Sequence, residues 1–284
     1  SQMNKINRNG PIFLGGGRLI FAIGGSTIGG DPRGKMKAVA APKPTPAQIA
    51  REARAALRAK FDPVRARGAE RYFKDAIKSF GVPSADVRDL GAAFYARVKG
   101  SWSYAEAVAL CDILFADAEL EAKAIGGLIL SRYKKDYPPA FLAKVKRWLA
   151  ADLLDNWASV DVFCTDAVSG FLGRYPACAD KLEAWTRHPN RWVKRAALVS
   201  FIPHARRGRF LDQAYTVAAS VFPVDDDLVE KAAGWLLREA GKTDPDRLEA
   251  FLRAHGPAIP RTTLRYAIER FPPARRKAIL VETK

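Results

Sequence analysis

The sequence predicts an all-α fold, a solenoid of HEAT-like helical repeats with a concave basic groove. From about residue 46 onward, apolar residues recur at helical spacing, and no segment shows the alternation of a strand. Breaks rich in Gly, Pro and Asp recur about every dozen residues. Helix pairs of this size cannot bury their apolar faces alone and stack on one another. Because no sequence repeats at a fixed period, an irregular helical bundle is the alternative.

Residues 1–45 are expected to form a flexible leader and linker, and residues 46–284 the repeat domain. The first 35 residues hold three clusters of adjacent glycines, a composition that disfavours packed structure. A basic start followed by Ile12-Phe13-Leu14 suggests a secretory signal, but the apolar part is too short and interrupted. We therefore interpret the leader as a natural or artificial extension, with Met36 as the natural start.

Three stripes of apolar residues mark individual helices within the repeat domain. The first stripe predicts a helix that starts near Tyr72 and runs on to residue 80. A turn is expected after Ser200. The stripes are, in chain order, Phe73-Ile77-Phe80, Trp192-Ala196-Val199 and Val229-Ala233-Leu236-Leu237.

The chain is strongly basic, with 47 Lys and Arg against 30 Asp and Glu and a formal net charge of +17. A surplus of this size attracts polyanions, because each neutralised phosphate releases a condensed counterion. Charge alone does not choose among DNA, RNA and anionic lipid.

Residue counts argue against several other classes of protein. The 3 cysteines lack a C-x-x-C pattern, so neither a disulfide framework nor a zinc ribbon is expected. The 3 histidines lack H-E-x-x-H spacing, so we predict no metal and no cofactor. No uninterrupted apolar stretch reaches the roughly 18 residues of a membrane span. A monomeric protein of the bacterial cytoplasm is expected.

Positive charge recurs in successive segments of the repeat domain. A single cluster is usually a solvated helix face, but a solenoid aligns recurring clusters into one groove. The densest segment, Asn190 to Arg209, contains no acidic residue. The other clusters are Arg65-Arg67-Arg71-Lys74-Lys78, Arg132-Lys134-Lys135 and Lys144-Lys146-Arg147.

Three aromatic positions could accompany such a groove. Trp157 and Asp161 lie four residues apart, on one helix face. A carboxylate beside an aromatic ring can stabilise a sugar-like cation, although a core Trp and an exposed Asp would show the same spacing. Trp235 follows Gly234, which would allow a neighbouring helix or a ligand to approach closely, and Tyr72 is a boundary residue or a groove residue.

Four sequence blocks together carry a resemblance to a known family. The chain resembles the AlkD-like DNA alkylation-repair glycosylases, HEAT-like repeat proteins, from roughly Arg65 to Phe271. The blocks, in the family's order, are Glu70-Arg-Tyr-Phe-Lys74, Asn156-Trp-Ala-Ser-Val-Asp161, Arg191-Trp-Val-Lys-Arg-Ala196 and Lys231-Ala-Ala-Gly-Trp-Leu-Leu-Arg-Glu239.

The resemblance implies that the chain removes cationic bases such as 3-methyladenine and 7-methylguanine from duplex DNA, without flipping the base. It implies a catalytic cleft made by Trp157, Asp161 and Trp235. The expected DNA contacts are Tyr72, Arg191, Lys194, Arg195 and Arg238, with Arg195 on the phosphate near the lesion. Asp161 is expected to be ionised, with the ordinary aspartate pKa of about 3.9.

The chain departs from the family's pattern at two places. Asn156 stands where relatives can carry a second Trp, and Pro203 stands where a basic residue is expected.

Two other functions stay open: a noncatalytic DNA-binding repeat protein, and a scaffold for an acidic protein. The noncatalytic protein would be excluded if Asp161→Asn abolishes base release while DNA binding persists. The scaffold would be excluded if duplex binding depends strongly on salt.

Overall fold

The computed structural model describes residues 43–73 and 76–283, and within these ranges the fold is all-α and built from stacked helices, as predicted. The predicted leader lies almost wholly outside the described residues, so the domain boundary stays a prediction. The helices are α1 (Pro46–Ala59), α2 (Pro63–Tyr72), α3 (Ser84–Val98), α4 (Tyr104–Leu114), α5 (Leu120–Leu130), α6 (Phe141–Ala150), α7 (Trp157–Phe163), α8 (Ser169–Arg174), α9 (Ala179–Glu183), α10 (Arg191–Ala205), α11 (Leu211–Ala219), α12 (Asp227–Ala240), α13 (Pro245–His255), α14 (Arg261–Ala267) and α15 (Pro273–Glu282).

The helices stack in sequence order, each burying an apolar stripe against its neighbours. One row contains α3, α5, the α7–α8 segment, α10, α12 and α14, in which each member packs on the next. Outside this row, α11 packs on α9 and α15 packs on α13. One continuous apolar core joins the helices and includes Trp148, Phe171 and Phe201. This arrangement brings α7, α10 and α12 side by side.

Two of the three predicted apolar stripes are confirmed. Trp192, Ala196 and Val199 are buried on α10, and the stripe from Val229 to Leu237 is buried on α12. The expected turn after Ser200 is wrong, because α10 continues through Pro203 to Ala205. Pro203 forfeits one backbone hydrogen bond to Val199, and this loss is tolerated two residues before the helix ends.

The first stripe is wrong, because Phe73 and residues 76–80 lie outside any helix. Tyr72 ends α2 instead of starting a helix, and Phe73 already has extended backbone angles, with φ −86° and ψ 138°. The buried carboxylate of Glu121 on α5 accepts hydrogen bonds from the backbone N–H groups of Phe80 (3.0 Å) and Val82 (3.2 Å). These N–H groups therefore donate to a side chain that is distant in the sequence, and they do not form the backbone hydrogen bonds of a local helix.

No helix among the described residues has the length and hydropathy needed to cross a membrane.

Gly234 lets α14 lie directly against α12, the first of the two alternatives that the sequence left open. A Cβ atom built on Gly234 would stand 2.6 Å from the carbonyl oxygen of Thr263 and would collide with the Cβ of Tyr266. A backbone carbonyl on a packed helix cannot turn aside as a flexible side chain can. The close approach of α14 therefore requires glycine here.

We expect Gly234→Ala to lower the free energy of unfolding by about 1–3 kcal/mol, the usual cost of overpacking. This loss exceeds the gain of up to about 1 kcal/mol that alanine brings inside a helix. Gly68→Ala is the matched control: Gly68 is an exposed residue of α2 with nothing within 4 Å of the added Cβ, so the variant should gain stability. Urea denaturation measures both variants, and equal stabilisation of the two would contradict the steric account.

Candidate functional site

The candidate site begins at the start of α7, where local capping fixes the helix. Asn156 is the buried N-cap, and its Oδ1 accepts a hydrogen bond from the backbone N–H of Ser159 at 2.9 Å. The helix therefore starts at Trp157, and Asp161 follows one turn later on the same face. The departure from the family's pattern at Asn156 thus has a structural role in this chain.

Asp161 and Arg195 form a buried, bidentate ion pair between α7 and α10. Nε of Arg195 donates to Oδ1 of Asp161 at 2.8 Å, and Nη2 donates to Oδ2 at 2.7 Å. Asp161 is 9% exposed and Arg195 is 5% exposed. Nη1 of Arg195 donates to the carbonyl oxygen of Leu228 at the start of α12. One guanidinium therefore joins α7, α10 and α12.

The titration of Asp161 differs from the sequence expectation. Burial raises the pKa of the Asp161 carboxyl above its ordinary value, and the charge and hydrogen bonds of Arg195 oppose this rise. The expectation of an ordinary aspartate pKa is therefore wrong. The reason is that α10 covers a side chain that the spacing with Trp157 alone would leave at the surface.

An aromatic cluster covers the start of α7. The ring of Trp157 is half-buried and stacks on Phe73, with ring centroids 5.0 Å apart and planes 19° apart. Tyr72 meets Trp157 edge-on at 5.9 Å and is 69% exposed. The structure thus brings Tyr72 to Trp157, as the resemblance implied. Phe73 was missed as a site residue because the sequence analysis assigned it to a helix stripe.

Helix α5 carries two buried charged residues that bond to other segments near the candidate site. Glu121 accepts hydrogen bonds from Ser79, Phe80 and Val82, including one from the Ser79 hydroxyl at 2.6 Å. Nζ of Lys123 donates to Asp155 at 2.7 Å, two residues before Trp157, although the Lys123 side chain is only 3% exposed. The sequence analysis missed both residues. The available signal was their position in an otherwise apolar helix, since buried charges are normally paired.

Trp235 lies on α12 on the face that carries Leu228, two turns further along. Seven residues separate the two positions, which corresponds to about 10 Å along the helix axis. The Trp235 ring is half-buried and packs against the core. Because Arg195 bonds to the backbone carbonyl of Leu228, the Asp161–Arg195 pair lies at the start of α12, and Trp235 lies two turns further along this helix.

The other basic candidates surround this pair, and each has a partner within the protein. Nε of Arg191 lies 2.8 Å from the carboxylate of Asp226, the N-cap of α12. Nζ of Lys194 donates to the carbonyl oxygen of Pro189 at 3.3 Å. Arg238 pairs with Glu269. The alignment of the basic clusters into one groove stays a prediction.

A π-helical turn, Cys164–Val168, follows α7 directly and continues into α8. The hydroxyl of Thr165 donates to the carbonyl oxygen of Asp161 at 2.6 Å. Burial raises the pKa of the Cys164 thiol, so this residue is a neutral part of the core. Single π turns inside α-helices are frequent at functional sites, and this one begins three residues after Asp161.

The arrangement places one buried carboxylate, paired with Arg195, one helical turn from an aromatic cluster, and carboxylates and aromatic rings both stabilise cations. Within the described ranges, no cluster of three or more His, Cys, Asp or Glu residues could hold a metal ion.

One family model matches most of the chain. The model of the family described as DNA alkylation repair enzyme matches residues 53–271. The solved structure of a predicted DNA alkylation repair enzyme from Enterococcus faecalis aligns with a TM-score of 0.67 and 15% identity, over 75% of this chain and 98% of that chain. At this identity the likeness shows the fold alone. No curated protein matches the sequence significantly.

Proposed function

Since the chain belongs to the DNA alkylation repair enzyme family, we propose that it is a DNA glycosylase that hydrolyses the N-glycosidic bond of cationic alkylated purines in duplex DNA. The observation that carries this proposal is the buried Asp161–Arg195 pair one turn below the half-buried ring of Trp157. A DNA repair function follows from the family. The substrate class and the reaction are the proposal.

A site with a single carboxylate suits cationic bases such as 3-methyladenine and 7-methylguanine. Alkylation of a purine ring nitrogen gives the base a positive charge, so the base departs as a neutral molecule and needs no protonation. As the bond from the base nitrogen to C1′ breaks, its electron pair stays with the base. Positive charge then develops on the deoxyribose, where a carboxylate can stabilise it.

Asp161 supplies that charge in this proposal. Water attacks C1′, the new C–O bond forms, and a water proton is lost to Asp161 or to solvent. The product is an abasic deoxyribose and a free neutral base. Burial lowers the local dielectric around Asp161, which strengthens its attraction for a developing cation compared with a carboxylate in water.

The aromatic residues support a mode in which the base stays in the duplex. Most glycosylases flip the target base into a pocket. Here Tyr72 is exposed and Trp157 is half-buried at the surface of the cluster, so their rings can pack on sugar edges. Trp235 completes the proposed catalytic cleft from α12. The choice among damaged bases would then depend on how readily the glycosidic bond breaks, more than on contacts to the edge of the base.

Arg195 has a double role in the proposal. Its two hydrogen bonds to Asp161 hold the carboxylate in place and oppose the rise in its pKa, and a third hydrogen bond goes to the carbonyl oxygen of Leu228. A guanidinium carries five N–H donors, so two remain for the backbone phosphate near the lesion. Arg191, Lys194 and Arg238 are proposed as further backbone contacts.

The test is release of free base from duplex DNA that carries 7-methylguanine or 3-methyladenine, corrected for spontaneous depurination. The proposal expects release from both duplexes and little from duplexes with uracil or hypoxanthine, whose bases are neutral. Rapid release of uracil would contradict the mechanism. No release above background from either cationic lesion would contradict the glycosylase assignment.

The raised pKa of Asp161 predicts the acid limit of the reaction. The carboxyl must be ionised to act, and burial raises its folded-state pKa above the ordinary value, so activity falls as the pH drops through this raised pKa. We expect the midpoint of the acid limb to lie above the ordinary aspartate value of about 3.9. Single-turnover base release as a function of pH measures this limb.

The control is the pH dependence of the residual activity of Asp161→Asn. This variant lacks the titrating carboxyl, so its activity should show no acid limb. A midpoint at or below the ordinary aspartate pKa would contradict the prediction.

A further inference from the structure

Helix α7 carries Trp157 and Asp161, but it has only 7 residues before the π turn begins. A helix of this length has little stability of its own, because few residues follow the unfavourable first turn. The position of α7 is therefore set by the contacts that its two ends make with neighbouring helices.

A chain of hydrogen bonds connects the start of α7 with α5. Nζ of Lys123 donates to Oδ1 of Asp155 at 2.7 Å, and Nδ2 of Asn156 donates to the same oxygen at 3.2 Å. The Asn156 amide is thereby oriented with its Oδ1 toward the backbone N–H of Ser159, which donates to it. The connection leads from the buried face of α5 to the first turn of α7. We call Lys123, Asp155 and Asn156 the Lys123 network.

The same face of α5 meets the other end of α7. Gly127 follows Lys123 by four residues, so the two positions lie on one face of α5. A Cβ atom built on Gly127 would stand 3.2 Å from the ring of Phe163, the last residue of α7. Helix α7 is therefore held along α5 by the Lys123 network at its start and by close packing at its end.

Stability alone does not account for a lysine at position 123. The Lys123 side chain is only 3% exposed, whereas the Asp155 side chain is 47% exposed. Burial of an ammonium group costs free energy that an ion pair only partly offsets, and an apolar side chain of similar length avoids this cost. A methionine would fill the same space but has no donor for Asp155. The lysine adds a fixed position for Asp155, and through it for Asn156.

We propose that Lys123 is a positioning residue for base release, which holds the first turn of α7 against α5 and so sets where Trp157 and Asp161 lie relative to the sugar. The inference rests on the proposed function. Lys123 is too deeply buried to contact DNA, so its effect passes through Asp155 and Asn156. A displacement of about 1 Å that originates far from the reacting atoms can slow a reaction by about 100-fold.

The test measures single-turnover base release from a saturating 7-methylguanine duplex, at a temperature well below the unfolding of each variant. Lys123→Met keeps the length of the side chain and removes its donor, so release should slow by about 10- to 100-fold. Affinity for a lesion-free duplex should stay within about threefold of wild type, since a buried group makes no phosphate contact. Asp155→Ala removes the acceptor and should also slow release.

The double variant Lys123→Met/Asp155→Ala tests whether the two residues act as one unit. Both substitutions break the same connection between α5 and α7. The double variant should therefore release base no more slowly than the slower of the two single variants.

The chain offers a matched control in Asp112→Ala. Asp112 on α4 is 44% exposed, and Nζ of Lys144 on α6 lies 2.7 Å from its carboxylate. In this pair, as in the pair of Lys123 with Asp155, the partners are 32 positions apart. Asp112 also accepts from the indole of Trp148, so its loss should destabilise the fold at least as much as Asp155→Ala. Neither α4 nor α6 carries a residue of the candidate site, so the rate of release should be unchanged.

Amide hydrogen exchange examines the position of α7 without any substrate. The backbone N–H groups of Ser159 and Val160 both donate to Asn156, to its side chain and to its carbonyl oxygen respectively. These two amides should exchange faster in Lys123→Met, while the amides of α10 keep their wild-type rates. A purely global destabilisation would speed exchange in both helices.

Four results would each overturn the role of Lys123: a wild-type rate of release in folded Lys123→Met, equal slowing in Asp112→Ala and Asp155→Ala, additive losses in the double variant, or unchanged exchange at Ser159 and Val160. The proposed function fails separately, if wild type releases no methylated base. The exchange experiment then still decides whether Lys123 holds α7 in position.

Discussion

Asp161→Asn is expected to slow base release by about 100- to 1,000-fold, the usual cost of removing one preorganised electrostatic group. The substitution keeps the size of the side chain but removes the negative charge that would face the developing sugar cation. The amide oxygen can still accept from Arg195, whereas the amide nitrogen would meet a second donor. Rates are measured in single turnover on a 7-methylguanine duplex, so that binding and product release do not contribute.

Asp166→Asn is the matched control for this prediction. Asp166 lies five residues after Asp161, within the π turn, and its half-exposed side chain pairs with Lys134 at the surface. Neutralising it changes the net charge of the protein by the same amount but should leave the rate within about twofold. Equal losses in the two variants, or none in Asp161→Asn, would contradict the role of Asp161. Duplex binding should persist in both.

The sequence predicted those parts of the fold that depend on neighbouring residues. Apolar stripes identified α10 and α12 because a stripe at helical spacing reports burial along one helix. Gly234 was recognised as a point of close approach because only a missing side chain allows such contact. Trp157 and Asp161 could be placed on one face because their spacing of four residues is local.

The sequence failed where contacts between distant residues decided the structure. The non-helical backbone at Phe80 and Val82 depends on Glu121, which lies about forty positions later in the chain. The ion pair of Arg195 was missed, because its carboxylate on Asp161 is 34 positions away in the chain. Periodicity carries no information about such pairs.

Arg195→Gln is expected to lower the free energy of unfolding by about 3–5 kcal/mol near neutral pH, because it leaves Asp161 as a buried charge without its partner. The variant also loses the hydrogen bond to Leu228 that ties α12 to α10. Arg206→Gln makes a useful comparison, since it removes one arginine from the carboxylate of Glu239, which retains Lys242. We expect that loss to be about 1 kcal/mol or less. Chemical denaturation measures both variants.

The dependence of this loss on pH identifies its cause. Without Arg195, desolvation acts unopposed and the folded-state pKa of Asp161 rises further above its unfolded value. When the folded-state pKa is raised, protonation of Asp161 stabilises the folded chain. This stabilisation is lost as the pH rises through the folded-state pKa. The difference in stability between wild type and Arg195→Gln should therefore shrink as the pH falls, and a constant or growing difference would contradict the buried-charge account.

The double variant Asp161→Asn/Arg195→Gln separates charge from packing. It carries no buried carboxylate, so its stability should exceed that of Arg195→Gln alone and should lack the pH dependence, a favourable coupling in a double-mutant cycle. If the loss of stability in the double variant, relative to wild type, equals the sum of the two single losses, the two side chains act independently. Asp161 would then stay in place without Arg195, and the catalytic charge would depend on α7 and its cap alone.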